Sequence, residues 1–402
     1  MKVKKTQLLQ NVKNYRTQVT TQFATIEPKQ WQELLAYDKQ RQASLDHLDG
    51  HNPFVSWAWF NALEVSASVG DGTGWMPLHL VTYADDGGIH AALPLYVKYH
   101  SYGEYVFDWA WADAYQRSGL DYYPKLLSAI PFTPVPGARL LARNTAAAAA
   151  CIDGLMQIVT KEQFSSVHML FGRPFENQLL AAKGWMKRSG VQFHWSNPGW
   201  NDFDAYLSEL AQPKRKKIKA ERRKFSELGL QCVRLTGDEI TAQDWLFFQT
   251  CYANTYREYH STPYLTKAFF ANLTGSDLAK QCLLIKVERS GQAIAASLCF
   301  FDSHALYGRY WGCLEYLPFV HFEASYYQPI EFAIEHGIKR FEGGAQGEHK
   351  MARGFLPVQT QSMHWLAQPQ FADAVARFLE RETNGIDGYM NELDERNPFK
   401  TT

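Results

Sequence analysis

ALYGRYWGCLEYLPFVHFEASYYQPIEFAIEHGIKRFE, residues 305–342, decides how the chain is read. Ala305 to Trp311 alternates as a strand, so Tyr307, Arg309 and Trp311 share one face and Tyr310 takes the other. Phe322 to His336 keeps helical spacing, and Gly337 closes it as a natural C-cap. Ile338 to Glu342 is again a strand. Upstream, Leu283 to Glu288 and Ala293 to Phe301 form a hairpin about Ser290-Gly291. Thr241 to Asn254, Leu265 to Leu273 and Phe203 to Glu227 are helical. Downstream, Met363 to Leu366 is a strand and Phe371 to Leu393 a terminal helix.

The first half gives its elements in the same order. Ile26 to Leu45 and Phe54 to Val65 are helices. Pro77 to Tyr83 and Ile89 to Tyr99 flank the hairpin turn Asp85-Asp86-Gly87-Gly88. The helix Ala146 to Lys161 leads to a strand, Ser166 to Phe171, and a short helix, Glu176 to Lys183. The repeat lies in element order, not in matching residues. Asn197-Pro198-Gly199 is the turn cluster that divides the halves. The expectation is an α/β (α+β) protein with mixed, mainly antiparallel sheets flanked by helices. A flexible polar leader covers 1–20, a first domain 21–198, and a second domain with a C-terminal helix 199–402.

Composition narrows the function. Lys+Arg and Asp+Glu both count 41, so no whole-protein attraction to nucleic acid or membrane is encoded, and any such binding needs a local patch. Aromatics reach 14%, a surplus that suits a pocket or two cores. The six cysteines form no CxxC pair and do not cluster with histidine at metal-ligand spacing, which reads as reduced, buried thiols in the cytoplasm. No apolar run approaches the ~20 residues of a membrane span, and no apolar stretch follows the basic N-terminus as in a signal peptide. Zinc, P-loop and dinucleotide fingerprints are absent, so no permanently bound cofactor is expected.

Four strings narrow the fold further: SYGEYVFDWAWADA (Ser101 to Ala114), LYGRYWGC (Leu306 to Cys313), HFEASYYQPIEFAIEHG (His321 to Gly337) and GAQGEHKMARGFLPV (Gly344 to Val358). They resemble the signatures of the FemAB-like N-acyltransferases, a branch of the GNAT superfamily, over about Asn52 to Phe399. The resemblance implies two tandem GNAT-like domains and amide formation between an activated acyl donor and an amine. The substrate does not transfer with the resemblance; the acceptor expected is an amine, of a cell-wall precursor or an amino-acid-derived metabolite. One departure concerns the donor. GNAT enzymes that bind acetyl-CoA carry a glycine-rich loop ahead of a helix, and the corresponding stretch here, Leu314 to Val320, has no glycine. Backbone amides reach phosphate closely only where side chains are absent.

Acyl transfer needs a base for the attacking ammonium, a donor for the oxyanion and an acid for the leaving group. The segment Gly343 to Arg353 offers Glu348 or His349 as base. Gln346, Lys350 and Arg353 are candidates to hold a carboxylate or phosphate. A solvated charged turn is the plain alternative. Glu323 opens a helix beside His321, as a catalytic carboxylate or a cap. Tyr307 is a candidate proton donor. Arg309, beside Trp311, is an anion ligand or one half of a salt bridge to a carboxylate such as Glu342. In the first half, strand alternation would put Glu104 with Asp108, and Trp109 with Trp111 and Asp113. Acidic groups beside tryptophans suit an amine, and the alternative is a structural corner satisfied by hydrogen bonds.

PKRKKIKAERRK, Pro213 to Lys224, presents Lys214, Arg215, Lys216, Lys217, Arg222 and Arg223 on a helix. It is either a phosphate contact with tRNA or another polyanion, or a solvated face. The expected co-substrate is therefore aminoacyl-tRNA or acyl-CoA. A non-catalytic GNAT-like module that recognises a cell-wall precursor or RNA is the competing reading.

Overall fold

A computed structural model describes residues 6–8, 14–42, 52–345 and 347–400. The chain divides into two compact units, Met1–Gly190 with Thr360–Ile386, and Val191–Gln359 with Asp387–Thr402.

The elements run β1 (Thr6–Leu8), β2 (Tyr15–Thr20), α1 (Pro28–Gln42), α2 (Trp57–Val65), β3 (Trp75–Pro77), β4 (His79–Ala84), β5 (Ile89–Leu93) and β6 (Tyr96–Lys98). There follow α3 (Trp109–Arg117), β7 (Lys125–Ser128), β8 (Leu141–Ala142), α4 (Thr145–Lys161), β9 (Ser166–Met169), α5 (Pro174–Ala181) and β10 (Met186–Ser196). Then come α6 (Phe203–Glu209), α7 (Gln212–Glu227), β11 (Leu230–Thr236), α8 (Ala242–Glu258), α9 (Lys267–Ala271), β12 (Cys282–Arg289), β13 (Gln292–Phe301) and β14 (Ala305–Cys313). The chain closes with α10 (Val320–Phe322), α11 (Gln328–Glu335), β15 (Arg340–Glu342), β16 (Leu356–Leu366) and α12 (Pro369–Asp394).

In the first unit, β1, β2, β4, β5 and β8 form an antiparallel sheet. A second set pairs β3 with β6 and β6 with β7 antiparallel, then β7 with β9 in parallel. Apolar α4 packs Cys151, Ile152 and Leu155 onto this core. Met363–Leu366 of β16 pairs with β9, and Met363 is buried in the same core, so 360–386 folds with the first unit although it follows the second in sequence. Inside the polar leader expected over 1–20, Tyr15–Thr20 is a strand. Thr17 and Val19 are its inward positions, and the rest of the leader call falls largely outside the described residues.

In the second unit, β11 to β14 are antiparallel neighbours, β14 pairs with β15 in parallel, and His194–Ser196 of β10 pairs with β15. The β14–β15 ladder covers only Ala305–Tyr307 against Arg340–Glu342; β15 then ends while β14 continues to Cys313. Arg309 is the extra residue of a bulge, since Leu298 faces Tyr310 and Cys299 faces Gly308. Gly312 lets α8 lie close: a Cβ there would stand 2.1 Å from the Cys251 carbonyl oxygen.

Two proline effects modify expected helices. Phe203 to Glu227 is two helices, because Pro213 has no N–H for the Glu209 carbonyl and its ring would crowd it. That carbonyl accepts instead from the Lys400 amide at 2.9 Å. Within Phe322 to His336, Glu323–Tyr327 forms a π-helical turn before α11. Pro329 cannot donate to the carbonyl of Ser325, four residues earlier, which favours the wider turn.

Candidate active site

Beyond Tyr307 and Glu342 the parallel strands part, and the π-turn closes over the gap. The result is a recess of about 100 Å³, lined by Arg309, Trp311, His321, Ser325 and Tyr326 among others, with Gly343 and Phe341 across from them. Tyr326 is buried, and its hydroxyl lies 3.1 Å from Nε2 of exposed His349. His321 packs between Trp311 and Tyr326, ring centroids 5.2 and 5.5 Å away. Lys350 is buried, and its Nζ donates to the Gly344 carbonyl at 3.3 Å; Gly344 adopts φ +88°, which suits glycine.

The site is electropositive. Burial, with help from Arg309, brings Lys350 down to about 8. Burial, then His349, Arg353 and Lys350, pushes His321 down to about 4. Burial, then Lys350 and Arg353, lowers His349 from 6.5. Tyr326 is pushed up to about 12 by burial, so its phenol stays protonated. Buried Glu342 is pushed up to about 7 by burial, against the pull of Arg340, whose Nε donates to it at 3.0 Å.

Of the sequence candidates, Arg309, Trp311, His349 and Lys350 come together here. Gln346 lies outside the described residues. Glu348 points to the surface, accepting from the Tyr389 hydroxyl at 2.7 Å and from Arg396 at 3.1 Å. Arg353 is buried away from any incoming anion, donating to Glu221 at 3.0 Å and to the Tyr327 hydroxyl at 3.2 Å. Tyr307 donates to Asp302 at 3.1 Å, and burial holds its phenol well above the ordinary range. The Glu323 side chain caps no helix: its buried carboxylate accepts from Arg222 at 2.9 Å and from Gln328 at 2.8 Å. His321, Ser325 and Tyr326 carried no role in the sequence reading; Pro329 is the signal that re-aims their turn.

The basic helix α7 buries Ile218, Glu221 and Phe225 and turns Lys216, Lys217 and Arg223 outward, with Lys214 and Arg215 half-buried. Arg222 is spent on Glu323 and Glu331. Beside it lies a depression of about 680 Å³, lined by Lys219, Arg222 and Arg223 but also by Asp204, Glu323 and Glu331. It is the larger hollow, and its cations and carboxylates pair with one another, Lys219 with Asp204 and Arg222 with Glu323 and Glu331.

In the first unit, Tyr102 to Tyr115 is not a strand. A loop leads into α3, where helical spacing buries Trp111 and Tyr115 and exposes Trp109 and Asp113. Asp113 pairs with Arg117 on the surface. Glu104 and Asp108 are buried around Lys125, whose Nζ donates to them at 2.8 and 2.5 Å and to Ser101 at 2.8 Å. Asp108 also accepts from the Tyr122 hydroxyl at 2.6 Å. That hydroxyl lies 3.1 Å from His168, which meets His364 at 2.8 Å. Four of the proposed amine-binding residues thus divide: two carboxylates serve a buried ion cluster, and Trp109 and Asp113 face solvent.

A family model, FemAB-like, described as peptidoglycan biosynthesis/recognition, matches residues 22–401. No curated protein matches. Among solved structures, the chain is similar to one titled "Crystal structure of FemX", with 12% identity, TM-score 0.50, and 86% of this chain and 98% of that chain covered. It is also similar to L-PGS from Bacillus licheniformis, with 10% identity, TM-score 0.48, and 79% and 95% covered. A tandem GNAT protein from the clavulanic acid biosynthesis pathway gives 12%, TM-score 0.43, and 85% and 95%. At such identities the likeness to FemX speaks to fold alone, an α/β chain with mixed, mainly antiparallel sheets flanked by helices, as expected from the sequence.

Proposed function

The chain belongs to the FemAB-like family, and on that premise we propose that it is an N-acyltransferase whose second unit holds the reacting groups. The observation that carries this is the Tyr326–His349 contact of 3.1 Å at an electropositive recess between two diverging strands. An amine acceptor enters as an ammonium. Its proton passes to the Tyr326 oxygen as the phenol proton passes to Nε2 of neutral His349. The free amine attacks the acyl carbon, the N–C bond forms, and the bond to the donor's oxygen or sulfur breaks. Exposed His349 releases that proton to water, then takes through Tyr326 the second proton that the nitrogen sheds as the amide forms, and delivers it to the leaving group.

Arg309 and Lys350 are proposed to face the negative charge of donor or acceptor. The donor is an activated acyl ester or thioester, with aminoacyl-tRNA ahead of acyl-CoA. Supporting this order, Pro318 and the side chains of Leu314 to Val320 leave no cradle of free amides, and α7 presents exposed Lys216, Lys217 and Arg223. The acceptor is proposed to be the amine of a cell-wall precursor or an amino-acid-derived metabolite. Incubating candidate amines with the protein and either donor, and reading the mass of the amine, tests this. An acyl mass increment that needs His349 supports the reading; its absence with both donors across muropeptide-type amines and free amino acids overturns it.

A further inference from the structure

The π-turn directs two consecutive hydroxyl side chains, Ser325 and Tyr326, at the same recess. Tyr326 has His349 behind it. The Ser325 hydroxyl is buried and has no hydrogen-bond partner among the described residues. Ser297, which lines the recess opposite, differs: its hydroxyl donates to the Ala324 carbonyl at 2.6 Å. A buried hydroxyl left unpaired costs free energy, and this one lines the recess beside Tyr326, where an oxygen of a seated group would accept from it. The recess, about 100 Å³, holds roughly three water-sized groups, room for the reacting end of an acyl donor rather than the whole of it.

We propose that Ser325 is a catalytic residue whose O–H donates to the carbonyl oxygen of the acyl group seated in this recess. This rests on the reading of the site as an acyl-transfer centre. As the amine nitrogen bonds to the acyl carbon, the carbonyl π electrons move onto oxygen. The Ser325 hydroxyl meets that charge without giving up its proton, and the charge returns to carbon as the bond to the leaving group breaks. A donor aimed at the oxyanion acts where charge develops, so its loss appears in kcat more than in KM.

The test compares Ser325→Ala with Ser297→Ala, using whichever donor the wild-type protein accepts. Ser325→Ala is expected to lower kcat by roughly 10²-fold with KM within about threefold, and to melt at or above the wild-type temperature, because it removes an unsatisfied group. Ser297→Ala is expected to melt lower, because it breaks a buried hydrogen bond. A Ser325→Ala kcat within twofold of wild type overturns the assignment while leaving the transferase reading intact. A melting temperature for Ser325→Ala as low as that of Ser297→Ala overturns it too, because the hydroxyl is then structural. If wild type transfers from neither donor, the reading of the site falls, and this assignment with it.

Discussion

His349 titrates below its ordinary 6.5, so its imidazole is free to take a proton at neutral pH. The transfer rate is expected to show an acid limb below pH 6.5, where His349 takes up its proton, and an alkaline limb as Lys350 loses its proton through about 8. His349→Ala and Tyr326→Phe should each lower kcat by about 10²–10⁴-fold, read in a pH–rate series at saturating amine. Glu348→Gln, whose carboxylate is spent on Tyr389 and Arg396, should stay within about threefold of wild type; a larger fall would return Glu348 to the chemistry. Lys125→Met leaves Asp108 buried without its cation and Glu104 with Lys98 alone, at 3.7 Å. It should cost about 3–5 kcal/mol in a urea titration of the first unit. His349, Lys350 and Arg309 were legible because a polar cluster after glycines, and an arginine inside an aromatic strand, are unusual locally. Glu323 and Arg353 misled because what occupies them, Arg222 and Glu221, stands 101 and 132 residues away in sequence. Residue type says what a group can do, and its partner says whether it is free to do it.

At the scale of elements, periodicity located most helices but passed over β2, β7, β10 and β11, and the stretches it misread trace to competing periods or to proline. Tyr102 to Tyr115 fits alternation and helical spacing at once over its aromatic positions; burial of Trp111 with Tyr115, four apart, decides for the helix. Pro213 and Pro329 each strip one amide from an otherwise continuous helical pattern. Pro329→Ala restores that amide, and alanine is the better helix former by up to about 3 kcal/mol. The variant should melt no lower than wild type yet lose most transfer activity, since the turn that presents Ser325 and Tyr326 would tighten. Full activity in that variant would mean that the wide turn is incidental. For α7, replacing Lys216, Lys217 and Arg223 by glutamine should weaken tRNA binding and flatten its dependence on log salt by up to about 2–3. Unchanged binding would make the helix a solvated face.

For the molecule as a whole, acid is the weak direction of the first unit. Burial, foremost, pushes His168 down to about 3 and His364 well below 6.5, so the unfolded chain takes up their protons first as pH falls. Their contribution to stability is complete above about pH 6.5 and is lost on going down toward 3. Glu104 runs the other way: burial, foremost, raises it from 4.5 to about 7, so it gains stability as pH falls through that interval. Three histidines, counting His100, which burial also lowers, against one carboxyl leave the first unit less stable at pH 5 than at 7.5. Urea midpoints at pH 7.5 and 5.0 measure it, and His364→Gln should flatten the slope. A division into two units was legible from the sequence, although it falls at Gly190/Val191 rather than at the Asn197-Pro198-Gly199 turn. That 360–386 returns to the first unit was not, because pairing of β16 with β9 leaves no local mark on either strand. This return constrains biogenesis. While a ribosome is still adding residues 191–359, the emerging first unit has no β16 beside β9, no Met363 in its core and no His364 against His168. Its nascent form must wait, with apolar surface uncovered, for nearly the entire second unit to be translated before it can close. Holdase chaperones and pulse proteolysis of stalled chains would therefore find the N-terminal part, although it is the first to be made, still open until residues 360–386 have emerged.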